Sequence, residues 1–261
     1  MNIAILVDQF PKISETFVLD QIIGLIDRGH EVHIFGKTRP PNEAATHAEV
    51  TEYNLRSNLS FPNVPSNKFI RIFKGIPLFA KHFHRYPLRL LKSLNFLRYG
   101  RDSLSLRLLY SIPMFDNRDF DLIFCHFGPN GNLGALLTQT GLDSALVTMF
   151  HGYDVQLALD NNVSYTPAFT ESDALLVNSN YNKKKLIDIG APREKLVKHP
   201  IGVNIDDFPY RWKDNQTNKT DDKITITTVG RLVTEKGYEY ALQGLHIFNN
   251  MSDIEIEFQV V

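Results

Sequence analysis

The sequence predicts an α/β protein built on parallel sheet. Three observations carry this reading. Short unbroken apolar runs, such as residues 3–7, have the composition of strands buried on both faces. They alternate with stretches of helical period, as in Val18, Ile22, Leu25 and Ile26. Polar residues gather just after successive strands, at the edge where parallel sheets take ligands.

Composition bounds the class. The chain has 261 residues, 43% of them hydrophobic and 22% charged, as in ordinary globular proteins of one large or two small domains. Cys125 is its one cysteine, so no intrachain disulfide forms and a disulfide-stapled secreted scaffold is excluded. Residues 1–8 contain no basic leader, and their apolar run is too short for export. No apolar run approaches the roughly 20 residues needed to span a bilayer. These features lead us to expect a cytoplasmic protein.

Taken in order, residues 3–7 form a strand and the loop 9–15 precedes an apolar helix. Ser14 or Thr16 is placed to cap that helix, and Gly29 is placed to end it. Residues 31–35 form a second strand and close a β-α-β unit. The first loop holds no GxGxxG, so a dinucleotide fingerprint is absent. Residues 36–67, rich in Pro, Asn and Thr, read as loops with short strands.

Residues 68–107 stand apart, with ten Lys or Arg against a single acid, Asp102. Phe79, Phe83, Tyr86, Leu90, Leu94 and Leu97 follow helical spacing, while Lys81, Arg85, Arg89 and Lys92 occupy another face. Pro77 and Pro87 are expected to divide the stretch into separate helices. Such a surface can lie on anionic lipid or hold an acidic acceptor. It can equally be a solvated helix pair whose apolar stripe packs on its own sheet. No nucleic-acid recognition motif accompanies the basic residues, so that partner class is set aside.

The α/β rhythm returns near residue 120. Strands are expected at 121–125, 145–150, 172–177 and 195–198, with helices at 133–140 and 181–189, the second stopped by Gly190. Polar groups follow the strands: Ser14 and Glu15, His126, His151 and Asp154, Ser179, Asn204. Together these imply a cleft along one sheet edge. Residues 1–209 form the first domain in this reading, 210–222 a polar linker, and 223–261 the start of a second domain.

That second domain opens with a strand at 224–229, a turn at Gly230, two cations at Arg231 and Lys236, and a helix from Gly237. Cations at the end of a parallel strand suit a diphosphate. A plain βα loop with solvated charges fits the same spacing.

Four segments together resemble the family 4 retaining glycosyltransferases, nearest the branch that builds bacterial exopolysaccharides such as colanic acid. They are Phe10-Pro11-Lys12-Ile13-Ser14-Glu15-Thr16-Phe17, Phe150-His151-Gly152-Tyr153-Asp154, His199-Pro200-Ile201-Gly202-Val203-Asn204, and Val229-Gly230-Arg231-Leu232-Val233-Thr234-Glu235-Lys236-Gly237. The resemblance spans the whole chain with its motifs in order. It implies a GT-B fold, two Rossmann-like domains with the active site in the cleft between them.

By the same resemblance, Gly230, Arg231 and Lys236 bind the donor diphosphate, and the two cations replace the metal other transferases use. No metal or other cofactor is then required, and a nucleotide-diphosphate sugar is the donor substrate. His151 faces the donor sugar and its phosphate. Ser14 and Glu15 correspond to the first loop, which lines acceptor and phosphate, and Asp154 and Ser179 are cleft residues. The first loop is often glycine-rich in relatives and is not so here. The implied acceptor is a lipid-linked saccharide, with Lys81, Arg85, Arg89 and Lys92 as the acceptor or membrane surface and the protein peripheral at the inner face of the cytoplasmic membrane.

Family members continue for about 100 to 150 more residues, the size of a Rossmann-like domain. Those residues include a Glu-x7-Glu motif for the donor sugar and ribose. The expectation that follows is little or no transferase activity from residues 1–261 alone. Two other readings keep the architecture and change the chemistry: a non-catalytic acceptor- or membrane-binding remnant, and a nucleotide-sugar epimerase.

Overall fold

Alternation along the first strand sets the architecture. In β1 (Asn2–Gln9), Ile3, Ile5 and Val7 pack with Val18, Leu19 and Ile22 of α1 (Thr16–Asp27). Ala4 and Leu6 point the other way, into a second layer. A strand buried on both faces needs this run of β-branched and aliphatic residues. The computed structural model describes residues 1–40, 47–115, 119–160, 163–207 and 223–261.

β2 (Glu31–Thr38) pairs parallel with β1, three residues longer than expected. Residues 36–67 then hold the four-residue α2 (Glu49–Glu52) and the short edge strand β3 (Leu59–Ser60). The basic stretch forms α3 (Lys68–Phe83), α4 (Pro87–Ser93), α5 (Phe96–Leu104) and α6 (Arg107–Ser111). Pro87 opens α4 as expected, but Pro77 lies inside α3 and does not end it. Proline removes one backbone bond and strains the turn before it. Here the rest of the helix carries on through, anchored by Gly75, Leu78 and Phe79 on its inward side.

After α6 come β4 (Leu122–His126), α7 (Gly128–Thr140), β5 (Ala145–Phe150), α8 (Tyr153–Leu159), α9 (Thr166–Glu171), β6 (Ala174–Val177), α10 (Asn180–Asp188) and β7 (Leu196–Lys198). Three departures from expectation matter for the site. α7 begins at Gly128 rather than Leu133, because Gly128-Pro129 makes its first turn. α8 and α9, each under eight residues, carry too little periodicity to be read from sequence. The first turn of α1 has no side-chain cap from Ser14 or Thr16, and Glu15 stands at the cap position paired with Lys12.

The seven strands are all parallel in the order β3-β2-β1-β4-β5-β6-β7. The winding reverses between β1 and β4, and this is the switch point at which open α/β sheets take ligands. Leu90, Leu108, Ile123, Cys125 and Leu137 fill the layer on the α7 side. A third cluster of Phe150, Val155, Tyr165, Phe169, Val177 and Leu186 closes the far end of the sheet.

The chain divides into Met1–Val203, which holds this sheet, and Asn204–Val261. The domain end expected at residue 209 and the linker expected at 210–222 lie outside the described residues. The second unit is a β-α-β element: β8 (Lys223–Thr228), α11 (Tyr238–Asn249) and β9 (Glu255–Val260), with the strands parallel. Among its described residues none is buried.

Candidate active site

β4 and β5 end side by side, and each delivers a histidine to the carboxyl edge of the sheet. His126 is the last residue of β4, and His151 follows β5 directly. Their rings stack with centroids 5.3 Å apart, and His126 Nδ1 lies 3.1 Å from His151 Nε2. One of these nitrogens donates and the other accepts, so each ring shares a single proton position with its neighbour. Phe17, in the first turn of α1, covers His151 at 4.5 Å between centroids, and Phe127 closes the other side at 4.6 Å.

Burial sets the protonation of this pair. Desolvation pushes the pKa of His126 down to about 3, with the neighbouring His151 adding to the effect. Burial alone lowers His151 to about 4. Both rings are therefore neutral near pH 7, and they act as hydrogen-bonding groups rather than cations. His126 Nε2 and His151 Nδ1 are buried and have no hydrogen-bond partner. Unsatisfied polar atoms of this kind are uncommon and call for a functional or structural reason.

Asp154 fixes the position of His151. It is 1% exposed, and Oδ1 accepts from the backbone N–H groups of His151, Gly152 and Val155 at 2.9, 2.9 and 3.1 Å. Oδ2 accepts from Gly128 N–H at 2.9 Å, at the first turn of α7. One carboxylate thus ties the loop after β5 to the helix after β4. Burial raises its pKa, while all four amides favour the charged form. Asp154 is consequently beneath the surface and not a wall of an open cleft.

Phe127 pays for the close approach of these loops with a backbone φ of +70°, rare for a side-chain-bearing residue, and its N–H bonds Met149 O at 2.8 Å. The remaining donors at the start of α7 are also taken, since Asn130 and Gly131 N–H groups return to Phe127 O. The N-terminus of α7 therefore offers no free amides to a phosphate.

The other first-unit residues expected in the site lie around this centre. Ser14 is exposed on the loop after β1, and Glu15 is part-buried in its ion pair with Lys12. Ser179 caps α10, with Oγ accepting from Asn182 N–H at 3.1 Å. Asn182 holds Asn178 at 2.8 Å, and Asn178 donates to His151 O at 3.3 Å. Ser179 so supports the back of His151 through two residues, Asn182 and Asn178. Sequence reading missed Phe17, Phe127 and the Asn178–Asn182 relay, whose signal is only proximity to strand ends.

In the second unit, Arg231 and Lys236 are both exposed, and neither forms an ion pair with a described carboxylate. The chain bends at Gly230, just after β8, while the left-handed backbone conformation falls later, at Gly237 with φ +68°. Gly230 also admits Tyr238, whose hydroxyl donates to Gly230 O at 2.8 Å. Glu239 occupies the first turn of α11, so anion attraction here comes from the two cations more than from the helix end. Among the described residues no cluster of three or more His, Cys, Asp or Glu is arranged to hold a metal ion.

A seven-stranded parallel sheet with this switch-point site, followed by a β-α-β element, defines the class: the fold is that of the GT-B glycosyltransferases. It aligns with the lipopolysaccharide outer core galactosyltransferase WaaB at a TM-score of 0.54 and 11% identity, covering 100% of this chain and 60% of that one. Anabaena Alr3699/HepE, solved in complex with UDP and glucose, aligns at 0.57 and 14% identity with the same coverage. The chain belongs to glycosyltransferase family 4, which it matches over residues 14–207. It is 31% identical over 251 residues to the putative colanic acid biosynthesis glycosyltransferase WcaL of Escherichia coli K12. Identity to the amylovoran biosynthesis glycosyltransferase AmsK of Erwinia amylovora is 29% over 255 residues. The chain spans about 60% of the length of these curated relatives, which in turn align with 93% and 95% of it.

Proposed function

We propose that this chain is part of a retaining glycosyltransferase of exopolysaccharide synthesis. It moves a sugar from a nucleotide-diphosphate donor to a lipid-linked saccharide, working as a peripheral protein at the cytoplasmic face of the membrane. Membership of family 4 and likeness to transferases of colanic acid and amylovoran synthesis support the reaction class. The observation that carries the reading is the neutral, buried His151, held by Asp154 at the carboxyl end of β5, one strand from the switch point of a GT-B sheet.

Each group has a defined task. Arg231 and Lys236 neutralise charge on the leaving nucleoside diphosphate as the glycosidic bond breaks, a term that acts mainly in the transition state. His151, uncharged, has one ring nitrogen without a partner, Nδ1, to turn to the donor sugar or its phosphate, and it leaves charge neutralisation to the two cations. Ser14 and Glu15 lie on the acceptor loop. No resident cofactor is invoked, and the nucleotide sugar is substrate.

The test joins residues 1–261 to the C-terminal remainder of the E. coli relative and supplies labelled nucleotide sugars with lipid-linked saccharide. Label should move into the lipid fraction. Arg231→Ala and Lys236→Ala should each lower turnover by about 100-fold or more. A folded protein that transfers equally well with both cations removed contradicts the assignment, and one that moves no label from any nucleotide sugar contradicts the reaction. Residues 1–261 alone are expected to give little turnover.

A further inference from the structure

Helix α3 carries apolar residues on two sides, and only one of them is used by the fold. The inward side packs Leu78 and Phe79 on the core, and Gly75 sits against Leu106, Leu109 and Tyr110. On the outward side Phe69, Ile72, Phe73 and Ile76 are 84, 56, 77 and 65% exposed. Their spacing of three and four residues aligns them in one stripe along the helix. The sequence left open whether a stripe from Phe79 to Leu97 meets lipid or its own sheet: Phe79, Tyr86 and Leu90 pack inward, whereas Phe83, Leu94 and Leu97 are exposed, and so are the four residues that precede them on α3.

Charge decides what covers the stripe. Residues 68–107 hold ten of the chain's 28 Lys and Arg but one of its 29 Asp and Glu, so 18 cations face 28 acids elsewhere. At about 100° per residue, Lys68 lies about 40° outside Ile72 on one side of the stripe, and Lys81 and Lys74 lie about 80° and 100° beyond Phe73 on the other; all three are exposed. Two of the other cations serve the fold. Arg71 donates to Pro65 O, Ser66 O and Ser105 O, and half-buried Arg89 lies over the Tyr86 ring at 5.3 Å. A second copy of this face would set cation against cation. An anionic bilayer surface meets both features at once, taking aromatic and aliphatic side chains at the acyl boundary and lysines at the headgroups. The acidic remainder of the chain is repelled by the same surface, which orients the molecule.

We infer that α3 lies in the plane of an anionic membrane, with Phe69, Ile72, Phe73 and Ile76 inserted and Lys68, Lys74 and Lys81 at the headgroup phosphates. This deepens the membrane-surface part of the proposed function and rests on none of its chemistry. No helix among the described residues is long and apolar enough to cross a bilayer, so the attachment is in-plane.

The test sediments the full chain with phosphatidylglycerol-containing vesicles and, separately, with pure phosphatidylcholine vesicles, without nucleotide or saccharide. Binding is expected to the acidic vesicles only and to weaken with salt. Phe69→Ser combined with Phe73→Ser should lower partitioning about tenfold or more. Lys74→Glu combined with Lys81→Glu should remove most of the salt dependence. All four sites are exposed, so an unchanged melting temperature verifies that each variant folds. Wild-type protein that ignores acidic vesicles, or a Phe variant that binds them as well as wild type, overturns the inference. So does a solution dimer that the Phe variant dissociates while vesicle binding is absent, because the stripe would then be a self-association face. Intact vesicle binding with no sugar transfer would count against the reaction and leave this surface standing.

Discussion

At the scale of single residues, the site depends on groups kept out of water in one protonation state. His126 and His151 are held neutral, with pKa values pushed down to about 3 and about 4, whereas an unfolded histidine titrates near 6.5. The unfolded chain therefore binds protons that the folded chain refuses as pH drops below about 6.5. Stability is complete above that pH and is lost toward pH 4, by up to about 1.4 kcal/mol per pH unit for each such group. Denaturant midpoints measured from pH 7 to 4.5 should fall, and His126→Phe should flatten the slope; a midpoint independent of pH would contradict the buried pair. Asp154→Ala leaves four backbone N–H groups without their acceptor and should destabilise by at least about 3 kcal/mol. Asp154→Asn also costs stability, since an amide has one acceptor oxygen to face donors on both sides. His151 and Asp154 were legible in sequence because a polar cluster at a strand end is itself a signal. Their division of labour was not. Four backbone donors converge on Asp154 only after α7 and α8 have formed, and nothing in the spacing of His151 and Asp154 reveals Gly128.

At the scale of elements, α7 carries the fit. It lies so close to the sheet that a Cβ on Gly131 would come 2.4 Å from Thr148 Cγ2, and one on Gly134 would meet Cys125 Sγ at 2.7 Å. Gly131→Ala or Gly134→Ala should therefore cost about 1–3 kcal/mol through overpacking, read from thermal or denaturant melts. A neutral result at both positions would mean that the helix can lift without penalty. The strands of the central sheet could be read from β1, β4 and β5 because burial on both faces leaves unbroken apolar runs. The start of α7 could not, because glycines chosen for close packing look like a turn. α3 misled in the opposite direction. Its two apolar sides obey one helical period, and sequence alone does not say which side the fold has used.

At the scale of the whole molecule, the two units differ in what they bury. Met1–Val203 contains all three buried clusters, and no described residue of 223–261 is buried. Residues 1–203 alone should then unfold cooperatively at about the melting temperature of residues 1–261. A large drop on removing 204–261 would show stabilisation the buried clusters do not account for. The GT-B architecture was legible because four motifs fall in order along 261 residues, while donor and acceptor identity depend on groups those motifs do not fix. The proposed reaction itself is tested most directly by following it to product. The measurement is the NMR anomeric configuration of the sugar transferred by the protein completed with its relative's C-terminal remainder. The account predicts one new glycosidic bond in the donor's configuration for each nucleoside diphosphate released. An inverted linkage, or a nucleotide sugar altered at a ring carbon with no new bond, would contradict it.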